Sequence, residues 1–215
     1  MAGTLWSPIC ERLGIEYPIF GFAHDVSTVA AITNAGGYGV YGATRRFPHE
    51  IEEELATIRD LVGDKPFGVD LVLPPGMPEH NSREALEAEI PTEHRDFVQG
   101  LIEKYSVPKA TEPGMRTRFI RSTEIEEAQI SAVLDSSVNM FACGIGAPAQ
   151  VIGEAKARGK TTLALIGSVH HVQRAMGAGV EMIVAQGYDA GAHTGPIGTY
   201  SLVPQIVDAA GETPV

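Results

Sequence analysis

Short apolar runs alternate with amphipathic segments along most of the chain, and glycine closes nearly every segment. That alternation is the rhythm of βα units around a parallel sheet, because strands buried on both faces read as apolar runs and the helices covering them carry apolar stripes of period 3.6. The first unit reads as a strand at Pro18–Phe22 and a helix at Ser27–Ala35 ended by Gly36-Gly37. A second strand is Gly39–Tyr41. The helix opened by Pro48 sets Ile51, Leu55, Ile58 and Val62 on one stripe and stops at Gly63. Phe67–Leu73 is the third strand. From about 74 to 122 the rhythm fails: the chain turns polar, with a helix pair interrupted at Pro91 and a charged stretch reaching Arg116, Arg118 and Arg121, which reads as an insertion or lid. Units resume at Thr123, whose spacing to Glu126 reads as a capping box. Strand four is Val138–Ala142. A helix between Pro148 and Gly159 leads to strand five, Thr161–Ile166; a helix capped by Ser168 leads to strand six, Glu181–Ala185. A last helix starts near Ser201, and Thr213-Pro214-Val215 looks like a seventh strand beginning.

Six complete strands at this interval make an α/β fold with two possible architectures. One is an open doubly wound sheet, the other a TIM barrel of about six βα units without its last two strands. Either way residues 1–215 form a single partial domain carrying the 74–122 insertion. With 215 residues and 44% hydrophobic content, a substantial core is expected. The 16 Lys+Arg against 27 Asp+Glu give a net charge of −11, which argues against nucleic-acid partners. Only Cys10 and Cys143 occur, so no disulfide framework or CxxC zinc module exists and a reducing cytoplasm fits. The chain shows neither a secretory leader pattern nor a long apolar run, so no membrane association is expected.

Two stretches match the dinucleotide fingerprint as text. Gly37–Gly42 leaves a helix and enters a strand, the reverse of the turn that aims amides at a pyrophosphate, and is discarded. Gly144–Ala149 does follow a strand and open a helix, but the acidic residue that would hold a ribose about twenty positions on is absent. Cys143 has no adjacent histidine and reads as a buried, inert thiol. Neighbours such as His170 and His171 do not share a helix face and make no convincing metal site. The richest segment is Gln186–Gly195, QGYDAGAHTG, directly after strand six. Ligands sit beyond the carboxyl ends of parallel strands, and glycines there admit a flat cofactor closely. His193 is then a candidate acid/base, since imidazole changes protonation near neutrality. A histidine that merely bonds a turn carbonyl fits the spacing equally well.

Three segments, YPIFGFAHD, ITNAGGYGVYGA and above all MIVAQGYDAGAHTG, resemble the nitronate monooxygenases, formerly 2-nitropropane dioxygenases, and the related flavin-dependent enoyl-acyl-carrier-protein reductases. The family pattern Q-G-x-E-A-G-G-H-x-G is kept at Gln186, Gly187, Ala190, Gly191, His193 and Gly195, with departures at Asp189 and Ala192. The resemblance implies a TIM barrel rather than an open sheet, holding FMN non-covalently at the strand carboxyl ends. It further implies that His193 is the catalytic acid/base, that Gln186, Gly187 and Gly191 flank the isoalloxazine, and that Ala23, His24 and Asp70 complete the cofactor site. The family usually carries Met at position 24 and Asn at position 70, and a carboxylate there works against negative charge on the ring unless paired or protonated. The implied activity is oxidation of small alkyl nitronates or nitroalkanes with O2. Two alternatives remain: an NAD(P)H-dependent reductase of enoyl thioesters or quinones on the same barrel, and a non-catalytic fragment or assembly subunit. In such barrels the loops after strands seven and eight grip the FMN phosphate, and these 215 residues contain no such loops. Weak FMN binding by this chain alone is therefore expected, with a second polypeptide or another copy covering the sheet edges.

Overall fold

The computed structural model describes residues 5–79, 82–112, 114 and 118–215; Arg116 of the charged stretch lies outside them. The chain divides into two compact units, one running to Pro75 and resuming over Ala128–Val215, the other Gly76–Glu127.

The first unit is built on six parallel strands: β1 (Phe20–Ala23), β2 (Tyr38–Gly42), β3 (Gly68–Val72), β4 (Met140–Ile145), β5 (Thr161–Ile166) and β6 (Met182–Ala185). They pair in chain order, β1-β2-β3-β4-β5-β6. A doubly wound sheet must reverse its strand order at a switch point. No reversal occurs here, so the open-sheet alternative is excluded and the sheet is a curled half-barrel. Helices α1 (Pro8–Leu13), α2 (Val26–Asn34), α3 (Pro48–Val62), α6 (Thr123–Asp135), α7 (Ala149–Ala157), α8 (Val172–Gly177) and α9 (Thr199–Ala210) belong to this βα succession; α4 (Arg83–Glu89) and α5 (Thr92–Lys104) lie in the second unit.

Strand residues alternate between two cores. Tyr41, Val69, Phe141, Ala164 and Ile183 face outward, packing with Ile51, Leu55 and Ile58 of α3 and Leu202 and Ile206 of α9. The α3 stripe is fully buried as its periodicity predicts, and each such side chain stabilises the fold by roughly 1.5–3 kcal/mol. Tyr38, Val40, Met140, Ala142, Leu163 and Met182 point to the concave face and pack with Leu13 at the end of α1. This short first helix has no apolar periodicity long enough to be read in sequence. It covers the amino-terminal end of the concave face and leaves the carboxyl-terminal end as the mouth.

Among the described residues, nothing pairs with the outer edge of β1. Phe22 is 57% exposed and Phe20 37%. At the other edge Ile183 N–H donates to the Pro214 carbonyl at 2.9 Å, so the final residues lie along β6 as a seventh strand begins to do. Two local readings change. The cap of α6 is Ser122, whose Oγ accepts from Ile125 N–H at 3.3 Å, rather than Thr123, and the Glu126 carboxylate pairs with Arg121 at 3.1 Å. The last helix starts at Thr199 and tolerates Pro204 inside it. In the second unit Ser82 caps α4 by accepting from Ala85 N–H at 3.1 Å, and Pro91 separates it from α5. No described helix is long and apolar enough to cross a membrane.

Candidate active site at the mouth of the half-barrel

Loop geometry at the carboxyl ends of β4, β5 and β6 follows from close backbone contacts that only glycine permits. Gly146 sits at φ +75°, and a Cβ there would run into the Leu73 carbonyl; the Leu73 amide in turn donates to the Ile145 carbonyl at 2.7 Å. The second glycine of the GIGAPA stretch thus joins two loops, and its resemblance to a dinucleotide turn is incidental. The loops after β5 and β6 meet at Gly167 and Gly195, where a Cβ on Gly167 would lie 2.7 Å from Gly195 N. Within the β6 loop, Gln186 Nε2 donates to the Gly191 carbonyl at 2.6 Å. Asp189 Oδ1 accepts from both Thr199 N–H and Thr199 Oγ1 at 2.8 Å, which holds its carboxyl below the ordinary range and fastens the loop to the start of α9. Ala192 stands at φ +70°, in the left-handed region.

These constraints place His193 on the wall of a cavity of about 390 Å³, together with Gly144, Gly167, Gly195, His171 and Arg174. Among the described residues no acidic side chain lines it, although the chain carries 27 Asp and Glu. His171 and Arg174 were not singled out as a pair in the sequence. The signal was available: the segment follows the carboxyl end of β5, and the two residues stand three apart, on one face of a helical turn.

The remaining candidates occupy the concave side. Asp70 stands inward on β3, its backbone in register with Gly42 on β2 and Ala142 on β4. A Cβ on Gly144 would lie 3.1 Å from both Asp70 carboxyl oxygens, so this cavity-lining glycine is also what makes room for the acid. Burial pushes the Asp70 carboxyl up to about 7, partly offset by a hydrogen bond from the Gly144 amide. Burial, with Asp70 adding to it, pushes the Cys143 thiol up to about 12, as suits an inert core cysteine. Just after β1, the His24 ring donates from Nδ1 to the Gly42 carbonyl at 2.8 Å and stands edge-on to Phe22 at 5.0 Å. In the neutral ring this leaves Nε2 as an acceptor. Ala23 packs against the outer core, leaving its backbone for the rim. Gly187 is buried where a side chain would collide with Thr199, whereas Gly191 has open space around it. Thus His193 and Gly144 share the cavity, Asp70 lies directly behind Gly144, His24 reaches the same sheet region through Gly42, and Gln186, Gly187 and Gly191 build the loop that carries His193. No group of described His, Cys, Asp or Glu side chains is placed to hold a metal ion.

A nitronate monooxygenase family model matches residues 7–215. A putative monooxygenase of Mycobacterium tuberculosis is 38% identical over 220 residues, covering 96% of this chain and 57% of that protein. A probable nitronate monooxygenase of Staphylococcus aureus is 31% identical over 219 residues, covering 93% and 57% respectively. The chain therefore spans a little more than half the length of these curated relatives. Among solved structures, nitroalkane oxidase from Streptomyces ansochromogenes superposes with a TM-score of 0.69 at 23% identity over 92% of this chain and 55% of that one. FabK from Thermotoga maritima gives 0.67 at 21% over 96% and 52%. The two superpositions agree with the half-barrel, and the match of the family model over residues 7–215 settles the rest: this chain belongs to the nitronate monooxygenase family.

Proposed function

We propose that the chain provides the larger part of the active site of an FMN-dependent oxidoreductase that oxidises small alkyl nitronates or nitroalkanes with O2, with His193 as its proton carrier. The observation that carries this reading is the position of His193 on a glycine-lined cavity beyond the carboxyl ends of β4, β5 and β6, where a parallel barrel presents its reacting groups.

The residues present fit the planar ring of FMN. At the mouth, Gly191 leaves its surroundings open, while Gly42 admits the His24 and Phe22 rings and Gly144 admits the Asp70 carboxyl, bringing these groups to the rim. Hydrogen-bonding groups of both kinds stand nearby: His24 Nε2, the Asp70 carboxyl, and the Gln186 amide oxygen, whose nitrogen is already engaged. His24, Asp70, Gln186 and the backbone of Ala23, Gly187 and Gly191 would hold the ring, which when bound supplies the two-electron redox chemistry. His193 has no hydrogen-bond partner among the described residues, so its imidazole is free to take a proton from the carbon of a nitroalkane and to return it. Phe20 and Phe22 face the concave side of β1, the first stacked on Tyr38 and the second edge-on to His24, and both remain partly exposed.

The test uses the protein loaded with FMN under anaerobic conditions. Bleaching by a nitronate but not by NADPH is expected. Rapid bleaching by NADPH alone would move the reading to a reductase, and a preparation that stays colourless in saturating FMN would make the chain a non-catalytic subunit. His193→Ala is expected to lower turnover on nitroalkanes by on the order of a hundredfold or more; unchanged turnover would remove His193 from the mechanism.

A further inference from the structure

Asp70 stands on the concave side of β3 at the mouth, and its surroundings differ from those of an ordinary acid. From β2, the facing residue is Gly42, with the His24 ring from the turn after β1 lying against that glycine. From β4, Ala142 and Gly144 face it, while Cys143 between them turns to the outer core with its thiol protonated across the neutral range. No Lys or Arg forms an ion pair with Asp70 among the described residues, and the Gly144 amide is the hydrogen-bond donor it meets. A carboxylate enclosed with one amide and no cation is poorly solvated, whereas a carboxylic acid satisfies the same geometry: one oxygen accepts from Gly144 while the O–H remains to be given away.

We infer that Asp70 serves the mouth as a hydrogen-bond donor, a neutral acid that gives its O–H to a carbonyl or imine acceptor on the planar ligand and rejects that ligand once it becomes a carboxylate. This rests on the flavin reading of the site. Its consequence is a binding site gated by pH within the physiological range, a property that an asparagine at this position, donating at every pH, does not confer. The raised ionisation of Asp70, to about 7, places the transition there.

Two measurements on the chain itself decide the matter. The first is a carbon-13 NMR titration of the protein labelled at aspartate carboxyls, with the Asp70 resonance assigned by its loss in Asp70→Asn. A midpoint near neutrality is expected; a midpoint in the usual range near 4 overturns the inference without needing a variant to fold. The second is riboflavin binding by fluorescence quenching at pH 6 and pH 8.5, riboflavin being chosen because it lacks a titrating phosphate. The wild-type chain is expected to lose roughly tenfold or more in affinity over that interval, and Asp70→Asn to hold its affinity constant, which assigns the loss to Asp70. Equal pH dependence in both proteins overturns the donor role while leaving the flavin reading intact. Absence of riboflavin binding at either pH overturns the flavin reading, and the donor role with it.

Discussion

Ala192 shows how a single methyl group is tolerated at a strained position. The family pattern has glycine where this chain has alanine, and the backbone there adopts φ +70°. An L-residue pays roughly 1–2 kcal/mol for that conformation, while glycine does not. Ala192→Gly is therefore expected to raise stability by about 1 kcal/mol in urea denaturation, less the extra freedom gained by the unfolded chain. Asp70 supplies a second residue-scale prediction. Its folded carboxyl ionises near 7, against about 3.8 for the unfolded chain. Below both values the acid is protonated in each state and costs nothing. As pH rises from about 4 to about 7, the unfolded chain releases the proton first, so stability falls by up to about 1.4 kcal/mol per pH unit and stays low above 7. Asp70→Asn removes that slope, and the variant is expected to be more stable than the wild type at pH 8 with little difference at pH 4. Parallel pH profiles of the two proteins would contradict the assignment.

At the scale of elements, legibility followed the length of the pattern. The fifteen residues of α3 carry a complete stripe between Pro48 and Gly63, and the helix forms over that span. Strand five was readable to its end residues because six apolar or β-branched positions stand between lysine and glycine. Six-residue α1 was missed because so short a helix is decided by packing of Leu13 against the concave core, which no local period records. The cap of α6 was misassigned by one residue since Ser122 and Thr123 are chemically equivalent in sequence and only the accepted Ile125 amide separates them. Ser122→Ala is expected to cost about 1 kcal/mol. At the mouth, QGYDAGAHTG was legible because its glycines and histidine follow a strand, yet the sequence could not show why each glycine is there. Gly187 makes room for α9, Gly146 for Leu73 and Gly144 for Asp70. Gly146→Ala is expected to destabilise by about 2 kcal/mol or more, the sum of left-handed strain and collision with the Leu73 carbonyl. In the sequence His171 is weighed only as a metal ligand beside His170, and its pairing with Arg174 three residues on becomes a cavity wall once β5 and β6 are set side by side.

On the scale of the whole molecule, the βα rhythm was compatible with an open sheet or a barrel, and strand order decided between them. With no reversal from β1 to β6, all six carboxyl ends fall on one rim, and residues well separated along the chain meet there: His24 beside Gly42, Asp70 against Gly144, His193 across from Gly144. The same geometry predicts how the chain treats flavins. On the proposed reading the ring-holding groups His24, Asp70 and Gln186 all stand on these strands or the loops after them, so riboflavin, which has no phosphate, is expected to bind measurably.

Amide and imidazole chemical-shift mapping of the nitrogen-15-labelled chain during riboflavin titration tests the central claim most directly. The largest shifts are predicted at Gly42, Gly144, Gly191 and the His193 ring, together with the signals next to Asp70. Saturable shifts confined to another surface, with His193 unmoved, would contradict it.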